Sequence, residues 1–271
     1  MTALVSVERL AINQITTKPW ALDNAIRGYA RHGVHAVAVW RDKLAELGQP
    51  AARRMLGDYG MRVVALTPVR VPVATDGDVQ SAMDEILRAF DEATEIGAES
   101  LLMLAGPPMT MSPEKMKGVL AERLYALKQR APSSLQLVIE PLHPIYAATV
   151  SPLNTLRDAL DLCDQVEGLG VAVDVYNLSW DWDLERQIER AAGRLKGFHV
   201  SDWLRETTGD IRYDRGMMGD GCIDIRRIRE WMDRAGYRDT IEVEIFSQNN
   251  WWRRDPDEVV RTCIERFHIY C

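Results

Sequence analysis

Four ionisable side chains in the second half of the chain each close a short apolar run. Val138-Ile139 precedes Glu140, Val173 precedes Asp174, Phe198 precedes His199, and Glu242-Val243 leads to Glu244. Three carboxylates and an imidazole gathered at one place repel one another in a low-dielectric site. A divalent cation resolves that conflict, which makes Glu140, Asp174, His199 and Glu244 the expected metal ligands. An oxygen-rich set with one histidine suits Mn²⁺ best, with Mg²⁺, Co²⁺ and Zn²⁺ also compatible. Glu242 shares strand parity with Glu244 but lies a layer deeper, so it is expected to support a ligand rather than be one. Asp202, three residues beyond His199, is expected to orient a ligand from behind.

The elements that must carry these residues form a regular alternation. Apolar runs at Leu10–Ile15, Ala36–Trp40, Arg62–Leu66, Ser100–Leu104, Gln136–Ile139, Gly170–Val173, Leu195–Phe198 and Thr240–Ile245 read as strands. Between them, Ala21–His32, Ala51–Tyr59 and Asp78–Ile96 read as helices, stopped by Gly33, Gly60 and Gly97. Ser112-Pro113, Ser151-Pro152 and Asp255-Pro256 open further helices with a capping residue and a proline at the first turn. Leu184–Ala192 and Asp224–Ala235 complete the set. Eight strand–helix units in 271 residues predict an α/β fold, a single (β/α)₈ TIM barrel spanning residues 1–271. In that fold the strand ends share one rim, and the candidate ligands end strands 5 to 8. The glycine-rich stretch Ser201–Gly221 is the least regular segment and is expected to be functional.

Composition narrows the class. The net charge of −7 counts against a protein that tracks a nucleic-acid backbone. No apolar run reaches the ~18 residues of a membrane helix, and the start Met1-Thr2-Ala3-Leu4 carries no basic-then-apolar leader. The four cysteines are scattered and read as free thiols, so a cytoplasmic location is expected. Of the eight tryptophans, Trp20, Trp40, Trp180, Trp182, Trp203, Trp251 and Trp252 fall at or just past predicted strand ends. Such rings offer flat apolar faces to a sugar or an aryl group. Trp20, Trp40, Trp180 and Trp203 are therefore candidate substrate contacts, and Arg215 is a candidate for a substrate hydroxyl or phosphate.

The segments Ile139-Glu140-Pro141-Leu142-His143-Pro144, Val173-Asp174-Val175-Tyr176-Asn177, Phe198-His199-Val200-Ser201-Asp202 and Glu242-Val243-Glu244-Ile245-Phe246 resemble the xylose-isomerase-like barrels. The sugar-phosphate isomerase/epimerase group is the nearest in pattern, and Gly219-Asp220-Gly221-Cys222-Ile223-Asp224 extends the likeness. The resemblance implies one metal on Glu140, Asp174, His199 and Glu244. Many ketose epimerases of this kind carry a substrate-contacting histidine where this chain has Asn177, so the resemblance makes Asn177 a candidate substrate contact. His143, three residues after Glu140, stands in its place as the source of an imidazole. The large subunits of C-glycoside deglycosidases belong to the same group. There, a histidine near the strand-5 ligand removes a proton beside a 3-keto group, and a small partner subunit is needed.

The implied chemistry is removal of a proton next to a carbonyl of a keto-sugar, with an enediolate stabilised by the metal. His143 suits the base by its intrinsic pKa, and Glu140 and Glu244 are rival acid/base groups. The leading expectation is a sugar isomerase or epimerase with a small carbohydrate substrate, acting alone, as a homo-oligomer or with a small partner subunit. The first alternative is a lyase that eliminates the aglycone of a 3-keto-C-glycoside. A remote alternative, an apurinic-site endonuclease, needs a histidine-rich zinc cluster, and only five histidines are present.

Overall fold

The computed structural model describes residues 6–73, 79–108 and 110–271. Strands Leu10–Asn13 (β1), Ala36–Trp40 (β2), Arg62–Val71 (β3), Ser100–Ala105 (β4), Gln136–Ile139 (β5), Gly170–Asp174 (β6), Leu195–Val200 (β7) and Ile241–Val243 (β8) pair in parallel. They close into one barrel in the order β1-β8-β7-β6-β5-β4-β3-β2. Parallel neighbours need crossovers. These carry Leu22–Arg31 (α1), Arg41–Leu47 (α2), Gln49–Asp58 (α3), Val79–Glu95 (α4), Pro113–Arg130 (α5), Leu156–Gln165 (α6), Val175–Leu178 (α7), Leu184–Arg190 (α8) and Ile225–Arg234 (α9). Pro256–Tyr270 (α10) follows the last strand. The expected (β/α)₈ barrel is thus the observed one.

Side-chain size decides what goes where. Two small clusters of mostly short strand residues form apart from the main core: Ala11, Ala36, Ala38, Val64 and Ala65 pack together, as do Leu102, Val138 and Ala172. Larger side chains such as Ile26, Tyr29, Leu66, Phe198 and Val260 fill the layer between strands and helices. Each such residue, once buried, contributes roughly 1.5–3 kcal/mol against its exposed state. Cys163, Cys263 and Cys271 are buried free thiols and Cys222 is an exposed one. No helix among the described residues is long and apolar enough to cross a membrane.

Several element boundaries differ from expectation. Ser151-Pro152 does not open a helix; Ser151 Oγ accepts from Leu153 N at 3.3 Å, closing a local turn. The cap of α6 is Thr155, whose Oγ1 accepts from Asp158 N at 3.1 Å and donates to the Asp158 carboxylate at 2.6 Å. Thr155 thus satisfies one free N–H of the first turn, with its hydroxyl oriented by the Asp158 carboxylate. Helix α2 was not anticipated, and β3 runs on to Val71. The expected helix start at Asp78 and the leader region Met1–Leu4 lie outside the described residues. The segment Ser201–Gly221 contains a small antiparallel pair, Asp202–Trp203 against Arg215–Gly216.

Candidate metal centre

Strand register brings the ionisable residues into one row. Asp174 on β6 is level with His199 on β7, and His199 is level with Glu242 on β8. Because side chains alternate along a strand, Glu244 lies on the same face as Glu242, two residues nearer the rim. Glu140 leaves the end of β5. One ligand atom each from Glu140, Asp174, His199 and Glu244 lies within 4.8 Å of all the others, and all four residues are buried.

Their charges strain against burial. Desolvation pushes the Asp174 carboxyl up, with Arg215 opposing and Glu140 reinforcing. Desolvation likewise raises Glu244, to about 8, again against the pull of Arg215. Burial lowers the His199 imidazole, but the carboxylates of Glu242, Glu140 and Glu244 outweigh it and hold the ring well above the usual histidine value. His199 Nδ1 is 3.3 Å from Glu140 Oε1 yet off the hydrogen-bond line. It is a buried nitrogen with no hydrogen-bond partner among the described residues. Such a group is costly to leave alone, and a metal ion is the partner that an imidazole among three carboxylates fits. The opposite nitrogen, Nε2, faces Glu242 Oε2 at 3.8 Å. The donor set therefore fits a divalent ion, with Glu242 behind the histidine, and could hold one without rearranging the strands.

A support frame surrounds the ligands. Asn13, at the end of β1, donates to Glu242 Oε1 at 2.6 Å and to Glu244 Oε1 at 3.0 Å. Its own carbonyl accepts from Trp40 Nε1 at 2.7 Å. Asn177 donates to Asp174 Oδ2 at 2.7 Å and reaches Glu140 Oε1 at 3.4 Å. Arg215 Nη1 bridges Asp174 Oδ2 and Glu244 Oε2, each at 3.0 Å. Its guanidinium lies between the rings of Tyr176, at 4.4 Å, and Phe246, at 4.8 Å.

Glu140, Asn177, Arg215 and Glu244 open onto a cavity of about 370 Å³ walled by Trp40, Tyr146, Tyr213, Phe246 and Trp252. Its volume is in the range of small-molecule sites. Sequence reading missed Asn13, Tyr146, Tyr213 and Phe246. Asn13 had a signal, a polar residue ending an apolar strand; the other three sit in loops whose path the sequence does not reveal.

The remaining candidates are elsewhere. The His143 backbone N–H donates to Asn177 Oδ1 at 3.1 Å, but its ring turns away, toward Trp203 at 5.0 Å and Trp180 at 6.1 Å. It lines a separate cavity with both tryptophans. Its Nδ1 accepts from Ile145 N at 3.1 Å, so the neutral ring carries its proton on Nε2 and has no free lone pair. Trp180 and Trp203 likewise border that second cavity and do not meet the metal ligands. Trp20 packs on Tyr29 and on Gly28, where an added Cβ would come within 2.3 Å of the indole; it does not line the cavity. Asp202 does not touch His199. Its carboxylate accepts from the backbone N–H groups of Trp203, Gly219, Gly221 and Ile223, at 2.9–3.0 Å, and so ties down the loop that carries Arg215.

Residues 26–265 match the family described as xylose isomerase-like TIM barrel. A protein of Sinorhizobium meliloti 1021 with a known crystal structure is 40% identical, with a TM-score of 0.93 over 98% of this chain and 99% of that one. The IOLI protein, crystallised with a zinc atom, is 17% identical with a TM-score of 0.83, over 97% and 99% of the two chains. The 3-keto-D-glucoside 4-epimerase of E. coli is 15% identical with a TM-score of 0.78, over 96% and 99%. No curated protein matches the chain.

Proposed function

This chain belongs to the xylose isomerase-like TIM barrel family, and from that premise we propose that it is a divalent-metal-dependent isomerase or epimerase of a keto-sugar. The observation that carries this reading is the convergence of Glu140, Asp174, His199 and Glu244 within 4.8 Å, beside a cavity of sugar-sized volume. Similarity to a barrel named as a 3-keto-D-glucoside 4-epimerase supports the same class of reaction.

Those four residues would hold the ion, with Mn²⁺ the best match to the donor set and zinc favoured by the zinc-bearing neighbour. When bound, the ion supplies Lewis-acid stabilisation of the negative charge that develops on a carbonyl oxygen as its neighbouring carbon loses a proton. The chain supplies the rest. Glu140 and Glu244 open on the same cavity and act as the acid/base pair, one taking a proton from carbon and the other returning it. His143 is not assigned the base, since its acceptor nitrogen is already engaged. Arg215, fixed between two rings, offers N–H groups to substrate oxygen. Trp40, Phe246 and Trp252 cover the C–H faces of the sugar and exclude bulk water.

Metal analysis of the purified protein, followed by a keto-sugar panel in ²H₂O with and without EDTA, tests this reading. Deuterium incorporated into an intact carbon skeleton, and lost with EDTA, is the expected result. Release of an aglycone from a 3-keto-glycoside would favour the lyase, and turnover indifferent to EDTA would remove the metal from the reaction.

A further inference from the structure

Trp182 is wholly exposed, although tryptophan is on average a highly buried residue. It stands in the loop Trp180-Asp181-Trp182-Asp183 between α7 and α8, and that loop is firmly tied. Asp181 N donates to Leu178 O at 3.0 Å and Leu184 N to Asp181 O at 3.1 Å. Asp183 N donates to Asp181 Oδ1 at 2.9 Å, and Trp180 Nε1 to Asn177 O at 2.8 Å. The chain thus holds an indole out in water on a fixed support. A group set in place beforehand costs less entropy to dock than a mobile one.

The residues just before Trp182 border the second cavity, an open groove of about 780 Å³ walled by Trp180, Trp203, Ile223, Ile228 and Trp231. None of the four metal ligands lines it, so the carbohydrate reaction leaves it unused. Its volume is ample for an indole. Four charges on its walls, Asp181, Asp224, Arg205 and Arg227, have no ion pair among the described residues. Arg227 instead lies 5.1 Å over the Trp231 ring. The carboxylates of Asp181 and Asp224 accept only from the backbone of their own turns, at Asp183 N and Arg227 N. The groove therefore carries two unpaired acids and two unpaired bases.

A projecting indole and an indole-lined hole on one face, with both charge signs in equal number, are what a self-complementary contact needs. About a two-fold axis the same patch meets itself, so that residue i touches j and j touches i. We infer that this face joins two copies of the chain. Each copy's Trp182 enters the other's groove, and the acidic turn at Asp181 comes against Arg205 and Arg227 across the interface. Trp182 brings roughly 250 Å² of surface, about a third of the ~800 Å² that each partner of a stable complex covers. Exposed Trp180 and half-buried Trp203 and Trp231 extend the apolar contact from the same walls. The inference stands apart from the proposed reaction.

Sedimentation velocity of the full chain across about 1–100 µM tests it. The expected species has twice the 30.7 kDa of one chain. Trp182→Ala should weaken the dimer at least about thirtyfold, as loss of a central aromatic anchor does. Because Trp182 is exposed in the single chain, that variant should keep the circular dichroism spectrum and Mn²⁺ content of the wild type. Arg205→Glu combined with Arg227→Glu, which leaves the groove with acids alone, should weaken the dimer about tenfold or more. A wild-type monomer throughout the range would overturn the inference, as would a dimer that both sets of substitutions leave intact. A wild-type monomer that binds indole in calorimetry, with the binding lost in Trp231→Ala, would overturn it in favour of a small-molecule site.

Discussion

His199 presents two nitrogens to two different tasks, and the residues around it are divided the same way. Nδ1 faces the carboxylate cluster without a hydrogen-bond partner, and Nε2 faces Glu242. Glu242 is in turn held by Asn13, which also holds Glu244. Partners behind a metal ligand fix its orientation, and their loss typically costs 10–100-fold in affinity. Asn13→Ala is therefore expected to weaken Mn²⁺ binding by about that factor in a calorimetric titration. Glu140→Gln and Asp174→Asn should lose metal and turnover together, as seen by elemental analysis beside the activity assay. His143→Ala, by contrast, should keep its metal and remain within about tenfold of wild-type turnover, because deleting a group outside the reaction removes no transition-state contact. A loss of about a thousandfold with metal retained would return His143 to the role of base.

Among the elements, the least regular one is the most constrained. The loop between β7 and α9 swings Arg215 over the cavity, and Asp202 anchors it through four backbone N–H groups. Gly221 is the close-approach point: a Cβ there would come within 1.9 Å of the Trp203 carbonyl oxygen. Backbone cannot yield as a side-chain tip can. Gly221→Ala is expected to cost about 2–4 kcal/mol, read as a lowered urea midpoint. Asp202→Ala takes the acceptor from four part-buried backbone N–H groups, and should cost about 1–3 kcal/mol. Both should raise the substrate KM through a displaced Arg215. The sequence showed this loop only as a cluster of glycines. Loop paths depend on contacts between residues far apart in the chain, such as Asp202 with Gly221, and no local periodicity records them. Strand ends are different. Glu140, Asp174, His199 and Glu244 were legible because an apolar run that stops at a charge marks both the strand and its rim. The same blindness to non-local contacts hid the rotation of His143 toward Trp203 and the packing of Trp20 on α1.

For the whole molecule, burying several carboxyls around one imidazole ties stability to pH. Burial raises Glu244 from 4.5 to about 8 and raises Asp174 and Glu242 as well. The folded protein then binds more protons than the unfolded chain. That contribution is complete below about pH 4.5 and is lost as pH climbs through the folded value near 8. The raised His199 acts with the same sign. A divalent ion holds the carboxylates ionised, so the loaded protein should escape the loss. The gap in Tm between Mn²⁺-loaded and EDTA-treated protein is expected to widen from about pH 5 to about pH 8. A gap constant across that range would show that these carboxyls do not share a cation.

The most direct test is anomalous diffraction at the manganese edge from a crystal grown with Mn²⁺. A single strong peak in contact with Glu140, Asp174, Glu244 and Nδ1 of His199 is the result this account requires. No peak there, or one bound elsewhere while those side chains stay bridged by Arg215, would contradict it.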